Sequence, residues 1–332
     1  PSVLANLDMP GGATGVAVAD NRAYVAWEGG YGAGFQIIDV STPSSPSELG
    51  GIDTLNAAAA VAVVGDTAYV VGGWGDGSLH VIDVSTPSSP VLQGSVFTGG
   101  LPGGVTVLDG NAYVACGYGG GFQVIDVSTP SNPIKVATVD TPGGASDVAV
   151  LGDSAYVADG EDGGLQVIDV RALMVPVVIG DIQTPGIAGG LALSDGMAYV
   201  AASGGEICVP ISGGEACWID EFGGALQVID VSTPSEPSIV RAVNTPVENI
   251  HAGGVAVVSD TAYLAGGDNG GLQIINISVP ASAGVVGEMP GAAISVTVVG
   301  NLAYVAAGYE GLRIIDVASP SNPSTEGFLD TD

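Results

Sequence analysis

Apolar positions in this chain come in short runs of about four to seven residues, and no run keeps a helical period. "GVAVADN", "AYVAWEG" and "FQIIDV" follow one another between Gly15 and Val40. Each is rich in Val, Ile, Ala or Tyr, and each has Gly, Asp or Asn at or next to its end. Apolar runs of this length, punctuated every 8–12 residues, predict β-strands. "VLDGNAYV" and "VLGDSAYV" predict tight hairpins, because Gly, Asn and Asp accept the positive φ that such turns require. The runs are apolar on both faces, so each predicted sheet is covered on both sides.

The same three runs recur along the whole chain. Aligned on the acid of "IDV", they place Asp39, Asp83, Asp126, Asp169, Asp230, Asn276 and Asp316 in one column. The spacings are 44, 43, 43, 61, 46 and 40 residues. An "AYV" or "AYL" run precedes each, and a "VAV"-like run precedes that. A fourth run follows the Pro-rich turn, as in "SELGGIDT" and "VLQGSVFT". Four strands at a period near 43 predict one blade of a β-propeller. The fold class expected is all-β: a seven-bladed β-propeller of four-stranded antiparallel blades, closed by a terminal outer strand. One domain spans 1–332, with repeats near 10–54, 55–98, 99–141, 142–184, 185–245, 246–289 and 290–332, and an extra outer-type strand at 1–9. The "VAV" strand is expected nearest the axis, where its Gly and Ala suit crowded backbones.

"QIIDVSTP", "HVIDVSTP", "QVIDVSTP" (twice), "QVIDVRAL", "QIINISVP" and "RIIDVASP", each after an "AYV" or "AYL" strand, resemble the LVIVD-repeat propellers and, more loosely, YVTN-type propellers. The resemblance covers essentially the whole chain. It implies a secreted or cell-surface bacterial or archaeal scaffold, and no known reaction. A motif present in every blade serves what every blade needs. In "IDVSTP" the carboxylate is expected to accept from the backbone N–H groups that follow, and Pro to end the strand. Asn276 keeps that role without the charge, which argues against a ring of calcium-binding acids. The "NIS" sequon there lies inside a strand and is not expected to be glycosylated.

Charge narrows the partners. The chain has 35 acids and five bases, a formal net charge of −30. Such a surface repels nucleic acid and anionic membranes, since phosphate binding needs clustered Lys and Arg. No apolar run reaches the length of a membrane span. The chain opens on Pro1, with neither a Met nor a signal peptide, which suggests a removed leader or a longer parent chain.

Chemistry needs groups that depart from the repeat. The largest departure is "SGGEICVPISGGEACWIDEFGG" (203–224), between the second and third strands of repeat five. Cys208 and Cys217 there are expected to form a disulfide in an oxidising compartment, and Cys116 to be a small core residue. The loops on this face gather Trp27, Tyr31, Trp74, Tyr118, Trp218, Phe222 and Tyr309 beside acids, a surface suited to a glycan or a protein. The alternative is that these rings pack over their own hairpins. His251, with Glu248 and Asn249, falls near the axis and is the one candidate for an enzymatic site. Asp159, Glu161 and Asp162 in "DGEDGG" form a partial calcium loop without a full set of spaced oxygens. No other metal, no cofactor and no catalytic residue is assigned.

Outer-type segments begin at Ser2, Ser47, Val91, Ile134, Val177, Ser238, Ala281 and Ser324: eight copies for seven blades. The termini are expected to meet in the last blade. The spare copy frays, caps an edge, or pairs with another molecule and builds a head-to-tail fibre. The reading is a non-catalytic extracellular structural or interaction protein whose partner is itself or a surface glycan or protein.

Overall fold

The computed structural model describes residues 2–29, 32–54, 57–73, 77–117, 119–203, 206–211, 214–219, 225–245 and 253–320; the side chains of 54, 161, 206–211, 214–219 and 269 are outside that description. Strand β1 (Ser2–Leu7) comes first in the chain and belongs to the last sheet. Blade one is β2 (Gly12–Ala19), β3 (Arg22–Gly29), β4 (Gly32–Asp39) and β5 (Ser47–Thr54). Blade two is β6 (Ala60–Val64), β7 (Thr67–Gly72), β8 (Ser78–Asp83) and β9 (Val91–Phe97). Blade three is β10 (Leu101–Leu108), β11 (Asn111–Gly117), β12 (Gly121–Asp126) and β13 (Ile134–Val139). Blade four is β14 (Asp147–Leu151), β15 (Ser154–Ala158), β16 (Leu165–Asp169) and β17 (Val177–Ile182), with the one-turn helix α1 (Gly160–Gly163) between its middle strands. Blade five is β18 (Ile187–Ser194) and β19 (Met197–Ser203), then the separate hairpin β20 (Glu206–Ile211) and β21 (Gly214–Ile219), then β22 (Ala225–Asp230) and β23 (Ser238–Asn244). Blade six is β24 (Val255–Val258), β25 (Thr261–Ala265), α2 (Gly267–Gly270), β26 (Leu272–Asn276) and β27 (Gly284–Met289). Blade seven is β28 (Ser295–Val299), β29 (Leu302–Ala306) and β30 (Leu312–Asp316), with β1 as its fourth strand.

The first strands of neighbouring blades touch all the way round: β2, β6, β10, β14, β18, β24, β28 and back to β2. They line the axis, as their small residues suggest. Both faces of each blade are buried because blades stack. Seven apolar clusters lie between neighbouring sheets; Tyr69 and Val71 of blade two, for example, pack on Ala112 and Val114 of blade three. The "AYV" tyrosines Tyr24, Tyr113, Tyr156 and Tyr199 are buried. Burying such side chains contributes about 1.5–3 kcal/mol each. Tyr24 and Tyr113 also stack on Phe35 and Phe122, at 6.0 and 6.1 Å between centroids. The predicted hairpins are present: Asp109 and Gly110 both take positive φ, 49° and 76°, as do Asp195 and Gly196.

The turn after each third strand is capped as its chemistry requires. Asp39 Oδ1 accepts from Ser41 N at 2.8 Å, and Asp126 Oδ1 from Ser128 N at 2.9 Å. Asn276 Oδ1 does the same for Ser278 N at 3.0 Å, without charge. Hydrogen bonds from the following Ser hold Asp39, Asp83, Asp126 and Asp230 below the ordinary carboxylate value.

Ring closure uses the N-terminus. β1 pairs antiparallel with β30, Ser2 opposite Asp316 and Leu7 opposite Leu312. It bulges at Leu4, where β13 bulges at Val136 and β17 at Ile179. β1 is thus a regular outer strand, and its Leu7 packs into the cluster between blades seven and one.

Candidate interaction face

The loops between second and third strands meet the loops that enter each blade, so both sets share one face. Thr141 and Gly143, entering blade four, bind Asp159 beside α1: Thr141 Oγ1 donates to Oδ1 at 2.5 Å and Gly143 N to Oδ2 at 2.8 Å. Asp159 is fully buried, and burial pushes its carboxyl up. Both of its oxygens serve the loop, which is a structural use of an acid read as a calcium candidate. Asp162 takes φ 65° in the same turn. The side chain of Glu161 lies outside the described residues. Among those described, no group of three or more His, Cys, Asp or Glu is placed to hold a metal ion, and no helix is long and apolar enough to cross a membrane.

The aromatic candidates divide. Trp27 is 8% exposed and its ring covers Gly34, where a Cβ would collide with it. It packs over its own hairpin and is not an open platform. Tyr309 stands 88% exposed. Tyr31, Trp74, Tyr118, Phe222 and His251 lie outside the described residues, as does the side chain of Trp218. The hairpin β20–β21 sets Cys208 directly opposite Cys217 in its backbone register; their side chains are not described. Cys116 is a free, buried thiol pushed up to about 11 by burial.

Below this face a Gln of the third strand recurs as a brace in blades three, four and six. Gln123 Nε2 donates to Thr98 O at 2.7 Å and Gly120 O at 3.1 Å, and Lys135 Nζ also donates to Thr98 O, at 3.0 Å. Gln166 and Gln273 donate to Gly163 O and Gly270 O. In blade seven the slot holds Arg313, 5% exposed, whose Nη2 donates to Pro290 O at 2.8 Å; Glu310 is 3.8 Å from Nη1. At the axis, Asp147 stands where other blades have Gly15, Gly104 or Gly190. It accepts from Val148 N at 2.8 Å and from Leu191 N of the next blade at 2.9 Å. Burial among the inner strands pushes it up to about 6, although it keeps partial exposure to the axis. Neither residue was singled out from sequence. The signal was present in both, as the one acid in a column of small residues and the one Arg in a column mostly of Gln.

The rim carries a second feature missed in sequence. The turn of blade four reads "RALMVP" where blades one, two, three and five read "STPSxP". Met174 is 78% and Val175 68% exposed, and Val177, Val178 and Ile179 continue the apolar row along β17. Outer strands have one neighbour each, so β17 presents an open, apolar edge.

Seven four-stranded sheets around an axis define a seven-bladed β-propeller. Solved structures agree on that fold. The WD40 β-propeller domain of Doa1 matches with TM-score 0.68 at 11% identity, over 94% of this chain and 95% of that one. The computationally designed Ika8 protein matches with TM-score 0.63 at 12% identity, over 95% and 99%. A functionally unknown protein from Desulfotomaculum acetoxidans DSM 771 matches with TM-score 0.63 at 12% identity, over 88% and 94%. No curated protein matches this chain. The LVIVD repeat model matches residues 10–54, 57–98, 99–141, 142–184, 209–245, 251–289 and 290–331, and the chain belongs to that family.

Proposed function

We propose that this propeller is a non-catalytic structural and interaction module that assembles with copies of itself, head to tail, outside the cell or on its surface. One observation carries the reading: eight outer-type segments serve seven outer places. β1 fills the place in blade seven, and the sequence offers one further outer-type segment, from Ser324. An unpaired strand adds to an open sheet edge, because the edge offers unused N–H and C=O groups. The acceptor favoured here is β17, the edge with Met174 and Val175 at its start. Donor and acceptor lie on different blades, so the contact is head to tail, and a contact of that kind builds a fibre when its rotation does not close a ring. The cross-strand register of Cys208 and Cys217 supports an oxidising location.

The test is sizing and negative-stain microscopy of the full chain and of chains lacking 1–9 or 323–332. Assembly lost in either truncation supports the reading; assembly unchanged in both removes it. A second reading, a glycan- or protein-binding face, draws on the exposure of Tyr309. Glycan-array binding that is lost in Tyr309→Ala while assembly is unaffected would favour it.

A further inference from the structure

The outer strands carry a rule that decides which terminal segment suits blade seven. One residue past the bulge, β5, β9, β17 and β27 each have a glycine: Gly50, Gly94, Gly180 and Gly287. At each, an added Cβ would come closer than 3.0 Å to a proline carbonyl oxygen in the next blade's turn: Pro87, Pro130, Pro234 and Pro320. All four turns read Pro-Ser-x-Pro. Of the three outer strands without this glycine, β13 with Ala137 and β23 with Arg241 precede the variant turns "RALMVP" and "SVPASA". Glycine therefore goes with a Pro-Ser-x-Pro turn on the neighbouring blade. Blade one, the neighbour of blade seven, has such a turn, "STPSSP" at 41–46. The strand beside it should carry glycine. β1 carries Ala5.

The C-terminal segment "PSTEGFLDTD" meets the rule. Aligned on the first residue of each strand, with Ser324 as that of the C-terminal segment, Gly327 falls at the glycine position and Leu329 at that of Leu7, Ile52, Val96 and Ile182. Phe328 falls opposite Arg313, where β1 has Asn6. An aromatic face beside a buried guanidinium is favourable in a way an amide is not.

We propose that the outer place of blade seven is a strand-exchange site: residues 324–329 displace β1 from β30, and the freed β1 is the arm given to a second copy of this chain. Gly327 selects the C-terminal segment for the place; Ala5 marks β1 as the strand that leaves. The use of β1 as an arm rests on the self-assembly reading above, whereas the assignment of the place does not.

Hydrogen exchange on the full-length chain tests this, read on the smallest species that sizing separates. The expected result is at least tenfold slower exchange in 325–329 than in 3–7, with Gly327→Val reversing the order and Ala5→Gly narrowing it. Residues 3–7 protected more than 325–329, with no response to Gly327→Val, overturns the proposal. The expected order in a chain that never assembles keeps the strand assignment and overturns the arm.

Discussion

Asp126 and Asp147 are both held by backbone N–H groups, yet they titrate in opposite senses. Asp126 lies at the open end of a strand, and its bonds from Ser128 lower its pKa. Stability from Asp126 and its counterparts is present above the free value near 3.8 and is lost as pH falls through their lower folded values. Burial raises Asp147 to about 6. Its contribution is complete below 3.8 and is lost as pH rises through about 6. Calorimetric Tm should therefore peak near pH 4 and fall as pH rises toward 6. Asp147→Ser should flatten the arm between pH 4 and 7 and leave the acid arm unchanged; an unaltered profile would contradict the assignment. A thiol count follows from the other unusual residues. Denatured, unreduced protein made in an oxidising compartment should titrate one thiol, Cys116; three would exclude a bridge between Cys208 and Cys217.

Strand rules are the next scale. Gly180 in β17 lies against Pro234, whereas the Cβ position of Gly284 in β27 meets nothing within 4 Å. Gly180→Ala should destabilise by about 1–3 kcal/mol through overpacking. Gly284→Ala should be neutral or stabilise by about 0.4–1 kcal/mol through the unfolded chain. Denaturant midpoints compare the two. This contrast shows where the sequence was legible. Strands and hairpins follow from local residues, so "AYV", "VLDG" and "IDVSTP" announced them directly. The meaning of Gly180 lies in a turn more than fifty residues away, in another blade, and only the ring brings them together. The sequence alone did not decide whether Trp27 is an open platform or packs over its own hairpin, for the same reason. Its burial depends on two small neighbours, Gly11 in the turn before β2 and Gly34 in β4. Arg313 and Asp147 could have been found as breaks in their columns, but their hydrogen bonds reach other segments.

At the scale of the whole molecule, the ring has seven outer places and the chain supplies eight segments for them. That surplus is a property of the count and does not depend on any one side chain. The acceptor assigned to blade four is specific: Met174→Lys with Val177→Lys should reduce assembly at least tenfold while leaving Tm within a few degrees, since both residues are exposed. Sizing against concentration reads that loss. Assembly as in the unaltered chain would move the acceptor elsewhere without touching the ring. The central claim is that the surplus strand joins molecules, and electron microscopy of the purified full-length chain beside the chain lacking 323–332 tests it most directly. The account predicts discs strung into fibres in the first and single discs in the second; single discs in both would contradict it, as would fibres that persist without 323–332 and also without 1–9.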